Sequence, residues 1–317
     1  MNIEKLRYAL EIERCGTINK AALNLFVSQP HLSKSLKTLE ESFGITIFHR
    51  TKQGVMLTNE GREFLQYARA IVTQMDIMTE KYDARKAIGP HLKISCVRSS
   101  NFMEGFVQFM DLYRKSESIH ATFKETGLFE VLDDVKNGTS GLGFIMVSLK
   151  EHAFFQNIIR ANQLEYTKIS NFKAHVVMSE LNKQAKESQI DLARLKQFTY
   201  VAYGEFENTL LNIDNEHQMV NLEPPEKIVV VHDRGTLFEF LARKEYYTIS
   251  HKILPYIAAR YGLSSIMPGE TLHDAEVGYV KVPLKILTTE EEKLIDIIRQ
   301  LYQEQKFPID QSSATAI

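Results

Sequence analysis

Residues 28–52 bring together amide, hydroxyl and basic side chains at a spacing that suits the reading of DNA. Glutamine can pair with adenine, serine can contact base edges or phosphates, and lysine can reach guanine or neutralise backbone charge. The candidates for DNA contact lie on the outward face of a predicted helix and at the tip of the hairpin that follows it: Gln29, Pro30, Ser33, Lys34, Lys37, Arg50 and Lys52.

The elements around these side chains predict a winged helix-turn-helix. Ser28 can cap a helix whose first turn holds Pro30. A short helix at 19–25 precedes it, and strands at 45–49 and 55–58 form the wing. A small helical unit with a solvated polar face is the simpler alternative, but the cap, the wing and the buried leucines agree on a DNA-reading helix. The leucines follow at helical spacing: Leu32, Leu36 and Leu39.

The same region resembles the N-terminal signature of the LysR-type transcriptional regulators, densely over roughly the first seventy residues. The resemblance implies a DNA-binding domain, a long dimerising linker helix, and a C-terminal effector domain like a periplasmic binding protein. The matching positions are 6–8, Ala21, Ala22, 27–30, Leu32, Ser33, Leu36, 39–41, Gly44, Phe48, Arg50, Thr58 and Gly61.

The length of the chain and the distribution of its charge suit a protein of two parts, which bind different partners. The chain has 317 residues, of which 44% are hydrophobic, enough for a substantial core. Residues 1–90 hold 13 Lys and Arg against 10 Asp and Glu, whereas the remainder holds 25 against 30. A mildly basic module joined to an acidic one suits a protein that touches DNA with one part only. With no bilayer-length apolar stretch and no signal peptide, we expect a cytoplasmic protein without membrane association.

A long amphipathic helix is predicted from a capping box at Thr58 to about residue 87. Its apolar stripe is too long to bury against a small winged domain, so we expect it to pair with another copy in a homodimer or homotetramer. A core helix inside one domain is the alternative. Twofold symmetry calls for double-stranded DNA with an interrupted inverted repeat. RNA polymerase is a further candidate partner.

The order of elements after Pro90 predicts an α/β effector domain. Strands at 92–97, 119–125 and 142–147 alternate with helices, which indicates a parallel sheet. The expected organisation is a DNA-binding domain, a linker helix, and an effector domain of two subdomains, the first built from two chain segments, followed by a flexible tail: 1–58, 59–89, about 90–165 with 264–309, about 166–263, and 310–317.

A small-molecule effector is expected where strands of such sheets end, because helix N-termini offer free amides there. The resemblance places effector-binding hydroxyls just after the first strand. Helix capping by the two serines is compatible with ligand contact, and Arg98 could pair with a carboxylate effector or with Glu125. The candidates for effector contact are Arg98, Ser99, Ser100, Thr126, Gly127, Tyr203 and Thr248.

One segment departs from the family pattern. Residues 246–251 replace the usual glycine-rich strand before a proline, which here is Pro255. We expect the departure to make the pocket narrower or more aromatic than usual. Effector identity, target genes and the sign of regulation are not encoded in any pattern of this chain.

Other classes of function have less support. The chain lacks a nucleophile elbow, a P-loop, a dinucleotide fingerprint after a strand and a zinc-protease motif, so no enzyme, cofactor or metal is expected. An architectural DNA binder would leave the large C-terminal part without a purpose. Cys15 and Cys96 fall in different modules and are expected to be packing residues rather than redox sensors.

Overall fold

The computed structural model describes residues 2–82, 90–187, 190, 192–204, 223–268 and 275–304. The chain begins with a three-helix unit and a two-stranded hairpin, which together bury a single apolar cluster. Its elements are α1 (Ile3–Cys15), α2 (Ile18–Asn24), α3 (Gln29–Phe43), β1 (Phe48–Thr51) and β2 (Gly54–Leu57).

Side-chain caps begin the second and third helices, and the cap at Ser28 is the one that the sequence predicts. The Thr17 side chain accepts a hydrogen bond from the backbone N–H of Lys20, and Ser28 accepts one from that of His31. Gly44 ends α3 at a φ of 66°, in the left-handed region that glycine adopts without strain. The predicted leucine stripe is buried, which confirms the winged helix-turn-helix.

The hairpin begins later than the sequence predicts. We expected a first strand at 45–49, but β1 starts at Phe48. The Glu40 carboxylate accepts hydrogen bonds from the backbone N–H groups of Ile47 and Phe48, at 2.7 and 3.2 Å. A side chain of α3 therefore accepts hydrogen bonds from the two backbone N–H groups at the start of β1.

A long helix, α4 (Asn59–Tyr82), follows the hairpin and packs against α1, burying Leu65, Ala68 and Val72 in the same apolar cluster. The Thr58 hydroxyl accepts from the backbone N–H of Gly61 at 2.7 Å, which is the N-cap half of the predicted capping box. The second half is absent, because the third position of the helix is Gly61 and the Thr58 N–H donates to the Ile47 carbonyl oxygen. The predicted continuation to about residue 87 lies outside the described residues. Gly61 packs so closely on the preceding loop that an added Cβ would lie 2.1 Å from the Ile47 carbonyl oxygen.

The C-terminal part holds two five-stranded sheets. The first has the order β4-β3-β5-β12-β6, in which β4, β3 and β5 are parallel while β12 is antiparallel to both its neighbours. Helices α5 and α10 cover one face, and α6 and α7 cover the other. Its elements are β3 (His91–Val97), α5 (Ser100–Leu112), β4 (His120–Thr126), α6 (Leu128–Lys136), β5 (Leu142–Ser148), α7 (His152–Ala161), β6 (Glu165–Phe172), β12 (Ala275–Lys281) and α10 (Thr289–Glu304).

The second sheet has the order β11-β7-β10-β8-β9. Helices α8 and α9 pack on one face, and two short 3-10 segments contribute to the cluster on the other. Its elements are β7 (His175–Ser179), β8 (Thr199–Tyr203), β9 (Ile228–Val231), α8 (Arg234–Leu241), β10 (Tyr246–Ser250), α9 (Pro255–Tyr261) and β11 (Leu263–Ile266).

Two expected subdomain boundaries are wrong. We placed the start of the second subdomain at about 166, but β6 pairs with β12 along its length and belongs to the first sheet. We placed its end at 263, but β11 pairs with β7 through Ile266. The first sheet is also mixed rather than parallel, because the returning strand β12 enters it from the opposite direction. The expected tail at 310–317 lies outside the described residues.

The Gly61 contact predicts a stability effect. Gly61→Ala should destabilise the N-terminal domain by about 1–3 kcal/mol, because the new methyl group meets backbone that cannot rotate away. Urea denaturation followed by circular dichroism measures the change. Glu63→Ala, at an exposed position of the same helix, is the control. Equal stability of the two variants would contradict the close packing.

Candidate nucleic-acid interface and effector cleft

The predicted DNA-contact residues share one exposed surface. Gln29, Pro30, Lys34 and Lys37 are exposed on α3, and Ser33 is half-buried between them. The capped N-terminus of the helix leads this face, so its positive dipole end adds to the charge of the lysines. The surface can therefore offer both hydrogen-bonding side chains and positive charge to a DNA duplex.

The wing is held against this helix. Arg50 lies in β1 rather than at the hairpin tip, and its guanidinium donates to the Ser33 hydroxyl at 2.5 Å. Lys52 occupies the exposed turn. A groove of about 390 Å³ separates α3 from the hairpin, and its walls include Lys34 and Lys37. Ser33 is consequently oriented by a basic side chain from the wing.

A second polar site lies between the two sheets, where Ser99 meets residues distant in sequence. The Ser99 hydroxyl lies 2.8 Å from Nε2 of His251 and 3.4 Å from the Tyr302 hydroxyl. Ser99 also caps α5, accepting from the backbone N–H of Asn101. Helix capping and a contact across the cleft therefore coexist at this serine.

Burial holds His251 neutral. The side chain is enclosed, and burial lowers the pKa of its imidazole to about 4. Nδ1 lies 2.9 Å from the Lys252 carbonyl oxygen, which can only accept, so Nδ1 carries the proton. Nε2 then accepts from the Ser99 hydroxyl. The hydrogen bond between the sheets has one defined direction.

Two arginines face the same cleft. The Arg98 guanidinium lies over the Tyr203 ring, 5.2 Å from its centroid. Arg234, the first residue of α8, forms an ion pair with Glu125 and donates to the Ser99 carbonyl oxygen at 3.0 Å. Burial raises the pKa of the Glu125 carboxyl despite both arginines, and burial raises the pKa of Tyr203 to about 12.

The remaining candidates for effector contact occupy less central positions. Ser100 is buried in the first turn of α5, and Thr126 donates to the Glu130 carboxylate. Gly127 precedes α6 as its N-cap. We expected Thr248 at a strand end, but it lies inside β10, paired with Val177, because the strand continues to Ser250. The residue that reaches the cleft from this strand is His251.

Three cleft residues were missed as site residues: Arg234, His251 and Tyr302. A signal existed for Arg234, because it follows the N-cap Asp233 directly after a strand. His251 closes the segment that departs from the family pattern. Tyr302 reaches the cleft from the last described helix, about 200 positions after Ser99, and no local pattern reports such a contact. Glu125 was considered as a partner of Arg98, but Arg234 is its partner.

Neither thiol is activated in this structure. Cys96 is buried, and burial raises the pKa of its thiol. Burial and the neighbouring Glu11 raise the pKa of Cys15. In the described part of the chain, no group of three or more His, Cys, Asp or Glu side chains is arranged to hold a metal ion. None of the helices described here is long and apolar enough to cross a bilayer.

The fold and the exposed, capped helix define a DNA-binding protein of the winged helix-turn-helix class with an α/β C-terminal part. The sequence profile described as "Bacterial regulatory helix-turn-helix protein, lysR family" matches residues 3–62. The N-terminal part of the chain is therefore a helix-turn-helix domain of the LysR family of regulatory proteins.

Relatives at the sequence level are themselves named as regulators. The uncharacterised regulator YcgK of Bacillus subtilis is 39% identical over 95 residues, 30% of this chain and 29% of that protein. The regulator BenM of Acinetobacter baylyi is 27% identical over 166 residues, 52% of this chain and 54% of that protein. The chain therefore aligns with less than two thirds of either relative. Both relatives are named as transcriptional regulators, which is the class of function that the sequence predicts.

A solved structure extends the likeness in fold to the whole chain. Full-length OxyR from Pseudomonas aeruginosa covers 97% of this chain and 99% of its own, with a TM-score of 0.56 and 18% sequence identity. At this identity the likeness concerns the fold alone. It confirms the expected combination of an N-terminal helix-turn-helix with a C-terminal α/β domain.

The buried imidazole predicts acid sensitivity. The unfolded chain takes up a proton at His251 near pH 6.5, whereas the folded chain does so only near pH 4. Between these values the unfolded state binds more protons, so stability falls as the pH falls. Acidification from pH 7 to pH 5 should cost about 2 kcal/mol through this residue.

Urea denaturation at both pH values measures this loss, and His251→Gln should remove it. His120→Gln, at an exposed histidine of the first sheet, should keep the acid sensitivity of the original protein. Identical losses in His251→Gln and His120→Gln would mean that His251 does not titrate as described.

Proposed function

We propose that this protein is a sequence-specific transcriptional regulator whose DNA binding is modulated by a small effector in the cleft between its two sheets. The observation that carries the proposal is the exposed face of α3, where Gln29, Ser33 and Lys34 project beside a basic wing. Gln29 and Ser33 read bases, with Lys34 beside them. Pro30 fits the first turn, and Lys37, Arg50 and Lys52 contact phosphates or the minor groove.

The linker helix supports a homodimer. Its solvent-exposed side chains include an apolar stripe at spacings of four, four and three, whose members are 52, 41, 36 and 49% exposed: Tyr67, Ile71, Met75 and Met78. Such a stripe is covered when two copies of the helix pair. Two winged domains held this way would bind an interrupted inverted repeat, and two dimers would give a tetramer.

Regulation requires that the effector bind one arrangement of the molecule more tightly than another. The cleft supports this, because Ser99 and Glu125 on one side contact His251 and Arg234 on the other. Effector contacts at the predicted positions would compete with these bonds or reinforce them. A change in the relative placement of the winged domains would then alter DNA bending and the access of RNA polymerase.

A pull-down of fragments of the source genome with the purified chain tests the proposal. Sequencing the bound fragments at moderate salt should recover a few sites that share an interrupted inverted repeat. Retention of all sequences with strong salt sensitivity would instead indicate an architectural binder. No retention would contradict a DNA-binding function.

Variants in the same experiment separate base reading from phosphate contact. Gln29→Ala or Ser33→Ala should cost about 1–3 kcal/mol on the recovered sites and relax sequence preference. Lys52→Ala should weaken binding to all sequences and reduce the salt dependence by about one counterion. Equal losses on recovered and random DNA for all three variants would refute the division of roles.

The linker stripe gives a separate prediction. The double substitution Ile71→Glu with Met75→Glu should shift the protein towards the monomer, because two carboxylates on each helix would face each other across the pairing surface. Sedimentation velocity without DNA measures the change. Arg62→Glu is the control, because Arg62 is exposed on the side of the helix opposite Ile71, and this variant should keep the oligomeric state. An unchanged mass for the double variant would place the dimer interface elsewhere.

A further inference from the structure

The turn between α2 and α3 exposes two large apolar side chains. Among the large hydrophobic residues that the structure describes, Phe26 and Leu23 are the two most exposed, at 97% and 75%. The residues on either side of Phe26, Leu25 and Val27, pack against the apolar cluster of the domain instead. Leu23 and Phe26 therefore add little packing to the fold and form an outward-facing apolar surface, which we call the turn patch.

The backbone of Phe26 is held in a conformation that few bulky residues adopt. Its φ is 55°, in the left-handed region, where glycine or asparagine is usual. The Phe26 N–H donates to the Leu23 carbonyl oxygen at 3.2 Å, and the Val27 N–H donates to that of Ala22 at 3.0 Å. Glycine would form the same turn without strain, and strained residues of this kind cluster at functional sites. The phenylalanine ring therefore points to a role outside folding.

The turn patch adjoins the surface that faces DNA. Phe26 is two residues before the N-cap Ser28 and three before Gln29, the first residue of α3. Helix α2 packs mainly against α1 and α3, while α4 packs mainly against α1. Pairing through the exposed stripe of α4 would therefore not cover the turn patch. A molecule that covers it must lie beside the bound DNA.

The chemistry of the turn patch favours a protein over DNA as the covering molecule. The edge of a DNA groove is lined by phosphates, which bind basic and hydrogen-bonding side chains rather than apolar ones. Protein interfaces instead place an aromatic anchor at the centre and polar residues around it. Asn19 and Lys20 are exposed four and three positions before Leu23, on the same side of α2, and supply such a polar rim.

We propose that the turn patch is a contact surface for RNA polymerase bound to the promoter beside the regulator's own site. This inference rests on the proposed function and names the surface that makes the contact. RNA polymerase is the protein that a transcriptional regulator meets on adjoining DNA. Burial of Phe26 and Leu23 in an apolar pocket of the polymerase removes their surface from water. Such a contact retains the polymerase at the promoter, so the genes beside these sites are activated.

The variant Phe26→Gly removes the ring without breaking the turn, because glycine adopts a φ of 55° freely. Urea denaturation should show that this variant is at least as stable as the original protein. Its affinity for a recovered DNA site, measured by fluorescence anisotropy, should be unchanged. Leu23→Gln removes the second member of the turn patch. Phe154→Gln, at an exposed aromatic residue of the C-terminal part, is the control.

Cells of the source organism that carry each variant in place of the original gene report transcription. Chromatin immunoprecipitation measures occupancy of the sites, and the transcripts of the genes beside them are counted. In Phe26→Gly these transcripts should fall about tenfold at unchanged occupancy, as expected for the loss of an aromatic anchor. Leu23→Gln should lower them as well, whereas Phe154→Gln should not.

Several outcomes would overturn the proposal. One is a transcript level in Phe26→Gly equal to that of the original protein. Another is a gene deletion that raises these transcripts or leaves them unchanged, since a repressor has no use for the contact. Parallel losses of occupancy and DNA affinity in Phe26→Gly would assign the turn patch to DNA instead. If the original protein occupied no site, the proposed function itself would fail, so the two failures are distinguishable.

Discussion

A buried guanidinium on the linker helix connects the two halves of the chain. The Arg69 side chain is 8% exposed and forms an ion pair at 2.6 Å with Glu13 of α1. It also donates to the Gln163 side chain at 3.3 Å, in the loop before β6. Gln163 holds a φ of 57°, which is uncommon for a residue other than glycine. Loss of one partner from such a buried pair costs about 3–5 kcal/mol. Arg69 therefore links the DNA-binding domain to the loop that precedes β6.

The two sheets of the C-terminal part meet through polar and apolar contacts. Tyr256 donates to the Glu104 carboxylate at 2.6 Å, in addition to the contacts of His251 and Arg234 across the cleft. Leu301 of α10, which covers the first sheet, is buried in the apolar cluster of α8 and α9 on the second sheet. Opening the cleft would therefore expose apolar surface as well as break polar contacts.

The DNA-binding domain was predictable because its structure depends on neighbours in sequence. The cap at Ser28, the leucines at helical spacing and the turn at Gly44 each act within one or two helical turns. The parallel part of the first sheet was predictable for the same reason, since strands and helices alternate along the chain. The position of β6 was not, because its apolar pattern does not reveal that it pairs with a strand more than a hundred residues later.

Only part of the effector cleft could be predicted from local sequence patterns. Sequence indicated the ends of β3 and β8, and Arg98, Ser99 and Tyr203 do meet there. Their partners come from a helix start, from the residue after β10 and from α10, and each arrives only through the tertiary fold. This arrangement also changes the structural role of Arg98. With Glu125 as its partner, it would have completed a structural ion pair. Because Arg234 pairs with Glu125 instead, Arg98 lies over the Tyr203 ring, and its charge acts on Glu125 and Glu130 only from a distance.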